Sequence, residues 1–292
     1  MQKEYRTQRI NQTKIINSLE SIYISPLELC NLNCLYCYTK KTKNILSNRK
    51  ILSFVRRYNK CLENRSYDFL EALNVARPHS QRQKKLNEIF HLKSIIFCGG
   101  EVFTLKSFPS LINKLNSMGI FVSVITNGTI DRLKEIKDPR NCQLIVSFDG
   151  PETIHDANRG NGNFAKSKLF VEHALKLSFP VEIFYLITKD SYPFKDSLNI
   201  FNLHKTYLTD RLGSLTPVQV KEIRQNYSVF PPKKFGCSQI ALQSDGKIYG
   251  CCESQRSIAS ISDPIKKTID KFLNLYQKNP LCSDPDYFCG LK

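Results

Sequence analysis

Residues 28–38 read ELCNLNCLYCY, a C-x3-C-x2-C pattern made by Cys30, Cys34 and Cys37. Three thiolates this close along a chain can meet at one metal centre. They are one short of a closed structural zinc site, which takes four ligands, usually from paired C-x2-C knuckles, and no partner pair lies nearby. A cubic iron-sulfur cluster is normally held by four cysteines, so three leave one iron open to a further ligand. The competing reading is buried free cysteines, common core residues. It suits poorly a strand-exit loop in which the cysteines are interspersed with Asn and Tyr.

Outward from this loop the chain alternates two periodicities. Residues 20–29 (ESIYISPLEL) carry β-branched and aromatic side chains in alternation, which predicts a strand ending just before Cys30. Further strands are predicted at 94–98, 120–126, 142–148 and 181–187, with amphipathic helices at 107–119, 129–138 and 164–178 between them. In the last helix Phe164, Leu169, Val171, Ala174 and Leu175 trace the apolar stripe. This rhythm implies βαβ units and a parallel sheet. The strands end in small or polar clusters (CNLNC, GGE, NGT, FDG), and in such sheets ligands sit at the carboxyl ends of the strands. Helices are also predicted at about 45–62, 80–91, 195–204 and 215–227, and a weak sixth strand at 205–212. Pro231-Pro232 then breaks the chain, and five of the eleven cysteines fall in the last 60 residues. A boundary is placed there, giving domains 1–232 and 233–292.

Composition narrows the class. At 292 residues, 41% hydrophobic and 24% charged, the chain is an ordinary globular protein. Its first residues, MQKEYRTQRINQTK, lack the apolar core of a signal peptide. No uncharged apolar stretch reaches the ~18 residues of a spanning helix. The expectation is a cytoplasmic protein without a membrane partner. In a reducing cytosol eleven cysteines are not a disulfide framework, and an odd number cannot pair fully within one chain. The formal charge is +17, of which +10 lies in residues 38–93 (14 Lys/Arg against 4 Asp/Glu). Such a surface attracts anions, whether nucleic acid, an acidic peptide or an acidic redox protein. No RNA-binding signature or aromatic-interleaved basic stripe accompanies it, so nucleic acid is not the favoured partner.

The cysteine loop, with Tyr36 before its last cysteine, resembles the cluster-binding loop of the radical S-adenosylmethionine (SAM) superfamily. The resemblance extends through Phe97-Cys98-Gly99-Gly100-Glu101, Thr126-Asn127-Gly128, and Ser147-Phe148-Asp149-Gly150-Pro151 followed by Ile154-His155-Asp156 and Asn158-Arg159-Gly160. The last region resembles peptide-modifying and sulfatase-maturing members. One departure is Val102, where the family usually has proline. The resemblance implies an α/β fold, a partial parallel (β/α)6 barrel of TIM-like kind with a small C-terminal iron-sulfur domain. It implies a 4Fe-4S cluster on Cys30, Cys34 and Cys37 whose open iron chelates SAM. Reductive cleavage of SAM then yields methionine and a 5′-deoxyadenosyl radical. It also implies SAM contacts: Gly99 and Gly100 for close backbone approach to the methionine moiety, Glu101 for its ammonium, and Arg159 for its carboxylate. Asn127 joins this SAM-binding set; Ser147 and Asp149 would meet the ribose and Tyr36 the adenine.

The tail holds a second group. Residues 240–251 (IALQSDGKIYGC) read as a hairpin turning at Ser244-Asp245-Gly246. With Cys237 before it and Cys251-Cys252, Cys282 and Cys289 after, this resembles a shortened, twitch-like form of the SPASM extension. The resemblance implies a second, auxiliary 4Fe-4S cluster on Cys237, Cys251, Cys282 and Cys289, with zinc as the competing occupant of four cysteines. Cys252 is the alternative to Cys251, or a hydrogen-atom donor. Cys61, Cys98 and Cys142 are read as plain core residues.

The function implied is a radical SAM enzyme that abstracts a substrate hydrogen to modify a peptide or protein, with a flavodoxin- or ferredoxin-type electron donor. Two alternatives stand beside it: a radical SAM dehydrogenase of a small molecule, and a non-catalytic iron-sulfur or nucleic-acid-binding protein that keeps the fold.

Overall fold

The alternating segments form strands where expected. In the computed structural model the described residues are 18–37, 39–72, 91–196, 202–209, 214–230, 239–252, 254 and 256–278. The chain begins with β1 (Ser21–Ile24), α1 (Asn48–Ala72), β2 (Ser94–Phe97) and α2 (Phe108–Asn116). It continues through β3 (Phe121–Thr126), β4 (Cys142–Phe148), α3 (Glu152–Arg159), α4 (Asn163–Lys176), β5 (Val181–Ile187) and β6 (Lys205–Thr209). After these come α5 (Pro217–Asn226), β7 (Val229–Phe230), β8 (Ala241–Leu242), β9 (Lys247–Tyr249), β10 (Ser257–Ser260) and α6 (Ile265–Lys278). The fold is α/β with a mostly parallel sheet, as expected.

The chain divides into two compact units. One comprises residues 27–44 and 97–234. Within it β3, β4, β5, β6 and β7 lie side by side and parallel. Parallel neighbours need crossover connections, and α4 between β4 and β5 and α5 between β6 and β7 supply them. Residues 122, 124, 144, 146, 148, 183, 185 and 187 are fully buried. Phe97, Phe103 and Phe170 gather near Phe108 and one another, with ring centroids 5.2–5.9 Å apart in edge-to-face pairs.

The other unit comprises residues 1–26, 45–96 and 235–292. The tail therefore groups with β1, α1 and most of β2. The expected hairpin forms: β8 and β9 pair antiparallel, Gly246 takes φ of 81°, and Lys247 N donates to Asp245 Oδ1 at 2.9 Å. β8 pairs in parallel with β1, Tyr23 opposite Ala241. On α1, Ile51, Phe54, Val55, Tyr58 and Leu62 recur at helical spacing and are fully buried. The Tyr58 hydroxyl donates to Leu19 O at 2.9 Å.

Three local expectations change. Residues 129–138 form no α-helix; short 3-10 turns at Leu133–Glu135 and Pro139–Asn141 take its place. Side chains capture the backbone there: Asp131 Oδ1 accepts from Leu133 N at 3.0 Å and Asn113 Oδ1 from Lys137 N at 2.8 Å. On α4 the stripe is displaced, since Leu169 is 64% exposed while Ser167, Phe170, Val171 and Ala174 are buried. Ser167 can occupy that face because its hydroxyl donates to Asn127 O at 2.7 Å and Asn163 O at 2.9 Å. Helix α3 adds to the expected elements, and Glu152 in its first turn and Gly160 just past its end are its ordinary helix signals. The helix expected at 195–204 falls partly, and that at 80–91 almost wholly, outside the described residues. No described helix is long and apolar enough to cross a membrane.

Candidate functional site

All the residues expected to hold the first cluster and SAM belong to one unit, on the loop at 28–37, at the carboxyl ends of β2, β3 and β4, and, for Arg159, at the end of α3. Backbone pairing places the cysteine loop against the β2 end. Gly100 N donates to Leu27 O at 2.9 Å and Glu101 N to Leu29 O at 3.0 Å. A side chain at Gly100 would put Cβ 1.8 Å from Leu29 O and 2.3 Å from its carbonyl carbon. Glycine is thus required here by the loop backbone itself. Gly99 beside it has φ of 124°, a conformation that also selects glycine.

Glu101 is fully buried and accepts three hydrogen bonds. Oε1 takes Phe103 N at 3.1 Å and Thr126 Oγ1 at 2.9 Å, while Oε2 takes Asn127 N at 2.8 Å. Burial pushes its pKa up; the Asn127 and Phe103 amides, the Thr126 hydroxyl and the Arg159 charge counter that in part. The carboxylate joins the ends of β2 and β3. Thr126 is the partner that motif reading overlooked, although it stands beside Asn127 in the quoted segment.

Asn127 carries the join to the loop. Its Nδ2 donates to Asn31 Oδ1 at 3.0 Å and to Cys30 Sγ at 3.7 Å, and its Oδ1 accepts from Thr129 N at 2.9 Å. Asn31, a second overlooked residue, donates in turn to Thr129 Oγ1 at 2.8 Å. Leu32 N also donates to Cys30 Sγ at 3.4 Å.

Beyond β4 lies a buried ionic group. Asp149 is wholly buried and Arg159 is 8% exposed. Arg159 Nε donates to Asp149 Oδ1 at 2.8 Å, and its Nη2 forms an ion pair with the same oxygen at 2.8 Å. The Tyr36 hydroxyl donates to the same carboxylate, at 2.9 Å to Oδ1 and 2.7 Å to Oδ2, and the guanidinium carbon stands 5.6 Å from the Tyr36 ring centre. Burial alone would weaken the hold of Arg159 on its proton, but Asp149 outweighs it and the guanidinium stays charged. Burial raises the Tyr36 pKa far above its ordinary value, with Arg159 opposing and Asp149 reinforcing. Ser147 is half-buried on β4, opposite Phe184 of β5.

Cys30 and Cys34 are half-buried and Cys37 exposed. Burial raises the thiol pKa of Cys30, which the Leu32 amide opposes, and that of Cys34, which Arg159 opposes. Among the described residues no three His, Cys, Asp or Glu side chains crowd as they would around a single metal ion. A cubic cluster spreads its thiolates over different irons, so three cysteines on one loop, with N–H donors already at Cys30, suit it better than one ion. The donor set fits a cluster with an open iron.

The second group is not assembled among the described residues, because Cys237, Cys282 and Cys289 lie outside them. Cys251, two residues past β9, is buried and Cys252 half-buried. Of the cysteines read as core, Cys142 is fully buried; Cys61 and Cys98 are half-buried.

A family model described as the radical SAM superfamily matches residues 24–191. A curated relative, the radical SAM cyclopropyl synthase TigE of Paramaledivibacter caminithermalis, is 22% identical over 220 residues. That match takes in 73% of this chain but only 44% of the relative, so the chain spans less than half the relative's length. Two solved structures share the fold. Native anSMEcpe with bound AdoMet and Cp18Cys peptide superposes with a TM-score of 0.63 at 19% identity, covering 87% of this chain and 81% of that one. Streptococcus suis SuiB bound to precursor peptide SuiA does so with 0.61 at 13% identity, covering 92% and 68%.

Proposed function

This chain belongs to the radical SAM superfamily, and from that membership we propose that it cleaves SAM reductively to abstract a hydrogen from a peptide or protein substrate. The observation that carries the SAM-dependent part is the convergence of the cysteine loop with Glu101, Asn127 and Arg159 at three neighbouring motif positions of one unit. The peptide part is supported by the relatives. One is a cyclopropyl synthase, and two neighbours of the same fold were solved with peptides bound.

In this reading Cys30, Cys34 and Cys37 hold a 4Fe-4S cluster and leave one iron for SAM. When bound, the cluster and SAM supply the one-electron chemistry that breaks a carbon–sulfur bond. The protein binds and orients. Asn127 and the Leu32 amide donate to Cys30 Sγ, and hydrogen bonds to ligating sulfur tune a cluster's potential. Glu101 holds two strand ends in register and lends negative charge where an ammonium would lie. Arg159 offers a permanent positive charge toward a carboxylate. The formed hairpin with Cys251 beside it supports a second cluster on Cys237, Cys251, Cys282 and Cys289. The electron donor in this reading is a flavodoxin- or ferredoxin-type protein, consistent with the basic surface.

The test is anaerobic reconstitution with iron and sulfide, followed by dithionite and SAM. Formation of 5′-deoxyadenosine, abolished by Cys34→Ala, is expected; no product, or product unaffected by Cys34→Ala, refutes the reading. About eight irons per chain fit two four-iron clusters, whereas about four irons with one zinc remove the second. A mass shift in a co-expressed peptide encoded beside this chain tests the substrate class.

A further inference from the structure

Both oxygens of Asp149 are committed to the protein itself. Oδ1 accepts from Arg159 Nε and is ion-paired with its Nη2, and the Tyr36 hydroxyl donates across Oδ1 and Oδ2, all between 2.7 and 2.9 Å. Tyr36 lies between Cys34 and Cys37, so this carboxylate at the end of β4 grips the cysteine loop. Immediately beside it Leu35 N donates to Asn158 O at 3.0 Å, one residue before Arg159. At the other end of the loop Asn127, after β3, holds Cys30 and Asn31. The three cysteines are therefore flanked by ties to two neighbouring strand ends.

Resting on the reading that these cysteines hold a cluster, we propose that Asp149 is a positioning residue that braces the cysteine loop through Tyr36 and sets the Arg159 guanidinium against the Tyr36 ring. The chemistry favours this division of roles. A phenol donating to a carboxylate makes a strong charge-assisted bond. A buried guanidinium needs a buried counter-charge. One carboxylate serves both, so displacing the loop displaces the cation. The single Tyr36 hydroxyl proton and the Arg159 guanidinium engage both oxygens of Asp149, so the partners of this carboxylate belong to the loop and to the helix that follows β4. Asp149 thus acts through its neighbours and touches no reacting atom, in contrast with the ribose contact that the family resemblance implies.

The experiment compares reconstituted wild type, Tyr36→Phe, Asp149→Asn and the double variant. Two readouts are independent of turnover: the rate of iron loss to an added chelator, and SAM affinity by equilibrium dialysis. Each single change is expected to speed iron loss by roughly tenfold, the factor that a lost charge-assisted hydrogen bond carries. The double variant is expected to lose iron no faster than the faster single, since both remove one link. Wild-type iron retention in Asp149→Asn with weakened SAM binding overturns the brace in favour of a ribose contact. Multiplying effects in the double variant overturn it too. If Asp149→Asn does not fold, Tyr36→Phe keeps the Asp149–Arg159 pair and decides alone: wild-type iron loss there overturns the brace. Wild type that takes up no iron overturns the cluster reading and the brace with it, whereas loaded wild type with unchanged variants sinks only the brace.

Discussion

His155 sets a pH limit on the fold that can be worked out in advance. The ring is fully buried, with centroids 5.3 Å from Phe148 and 5.6 Å from Phe164, and neither nitrogen has a partner among the described residues. Burial, and then repulsion by Arg159, lowers its pKa from 6.5 to about 4. Between those values the unfolded chain holds a proton there that the folded chain refuses. Stability from this group is therefore complete above about pH 6.5 and is lost as pH falls toward 4. At about 1.4 kcal/mol per pH unit, the whole window amounts to about 3 kcal/mol. Between about pH 7.5 and 5.5 the loss is about 1.3 kcal/mol. His155→Leu removes the titration and two buried unpaired nitrogens, so at neutral pH it should be at least about 1 kcal/mol more stable. Anaerobic urea titrations of both proteins at the two pH values isolate the effect, because every other titrating group is shared. A wild type that loses no more than the variant on acidification would refute the reasoning. So would a variant markedly less stable at neutral pH.

The remaining predictions concern the loop and the strand ends. Gly100→Ala forces a methyl within 1.8 Å of Leu29 O and should break the two backbone bonds that dock the loop, at about 2 kcal/mol or more. Reconstituted protein should then hold under half the wild-type iron, and full loading with normal melting would contradict the packing. Glu101→Gln turns an amide NH2 toward backbone and hydroxyl donors, so it should cost about 1–3 kcal/mol in urea and weaken SAM binding at least tenfold. An unchanged midpoint would show that the three bonds contribute nothing. Asp149→Ala leaves Arg159 buried without its counter-charge, a loss of about 3–5 kcal/mol; thermal melting should show unfolding or a severe drop, and a normal melt would deny the pair its structural part.

The strands could be read from the sequence because their signal is local. VEIFYLI and CQLIVSF need only alternation and β-branching to declare themselves, and both form as expected. The failures share a cause, which is that a distant residue decided the outcome. TIDRLKEIKD has helical periodicity, yet Asn113, from α2, takes the Lys137 amide and donates to Glu135 O. Ser167 looks like a surface residue until the Asn127 carbonyl arrives to accept its hydroxyl. The pairing of the tail hairpin with β1 depends on a strand more than 200 residues earlier, and nothing in either segment encodes that register.

The candidate site divides the same way. Motif reading identifies the side chains present at the strand ends but not which of them engage one another. Motif reading puts Gly100 at the close approach of a ligand; its nearest neighbour in the structure is the loop backbone. Motif reading sends Asp149 and Arg159 to separate parts of SAM; in the structure they face each other with Tyr36 between loop and strand. A motif spread over three strand ends serves two demands at once: contact with a cofactor, and support of a loop whose three thiolates need a fixed spacing. A residue meeting the second demand looks the same in sequence as one meeting the first. The partner separates them: Asp149 engages Tyr36 of the cysteine loop itself, whereas the Glu101 carboxylate joins two strand ends and takes no bond from the loop. By that criterion Asp149 belongs to the support, while Arg159, with a second face toward the Tyr36 ring and the cysteine loop, stands where both demands meet.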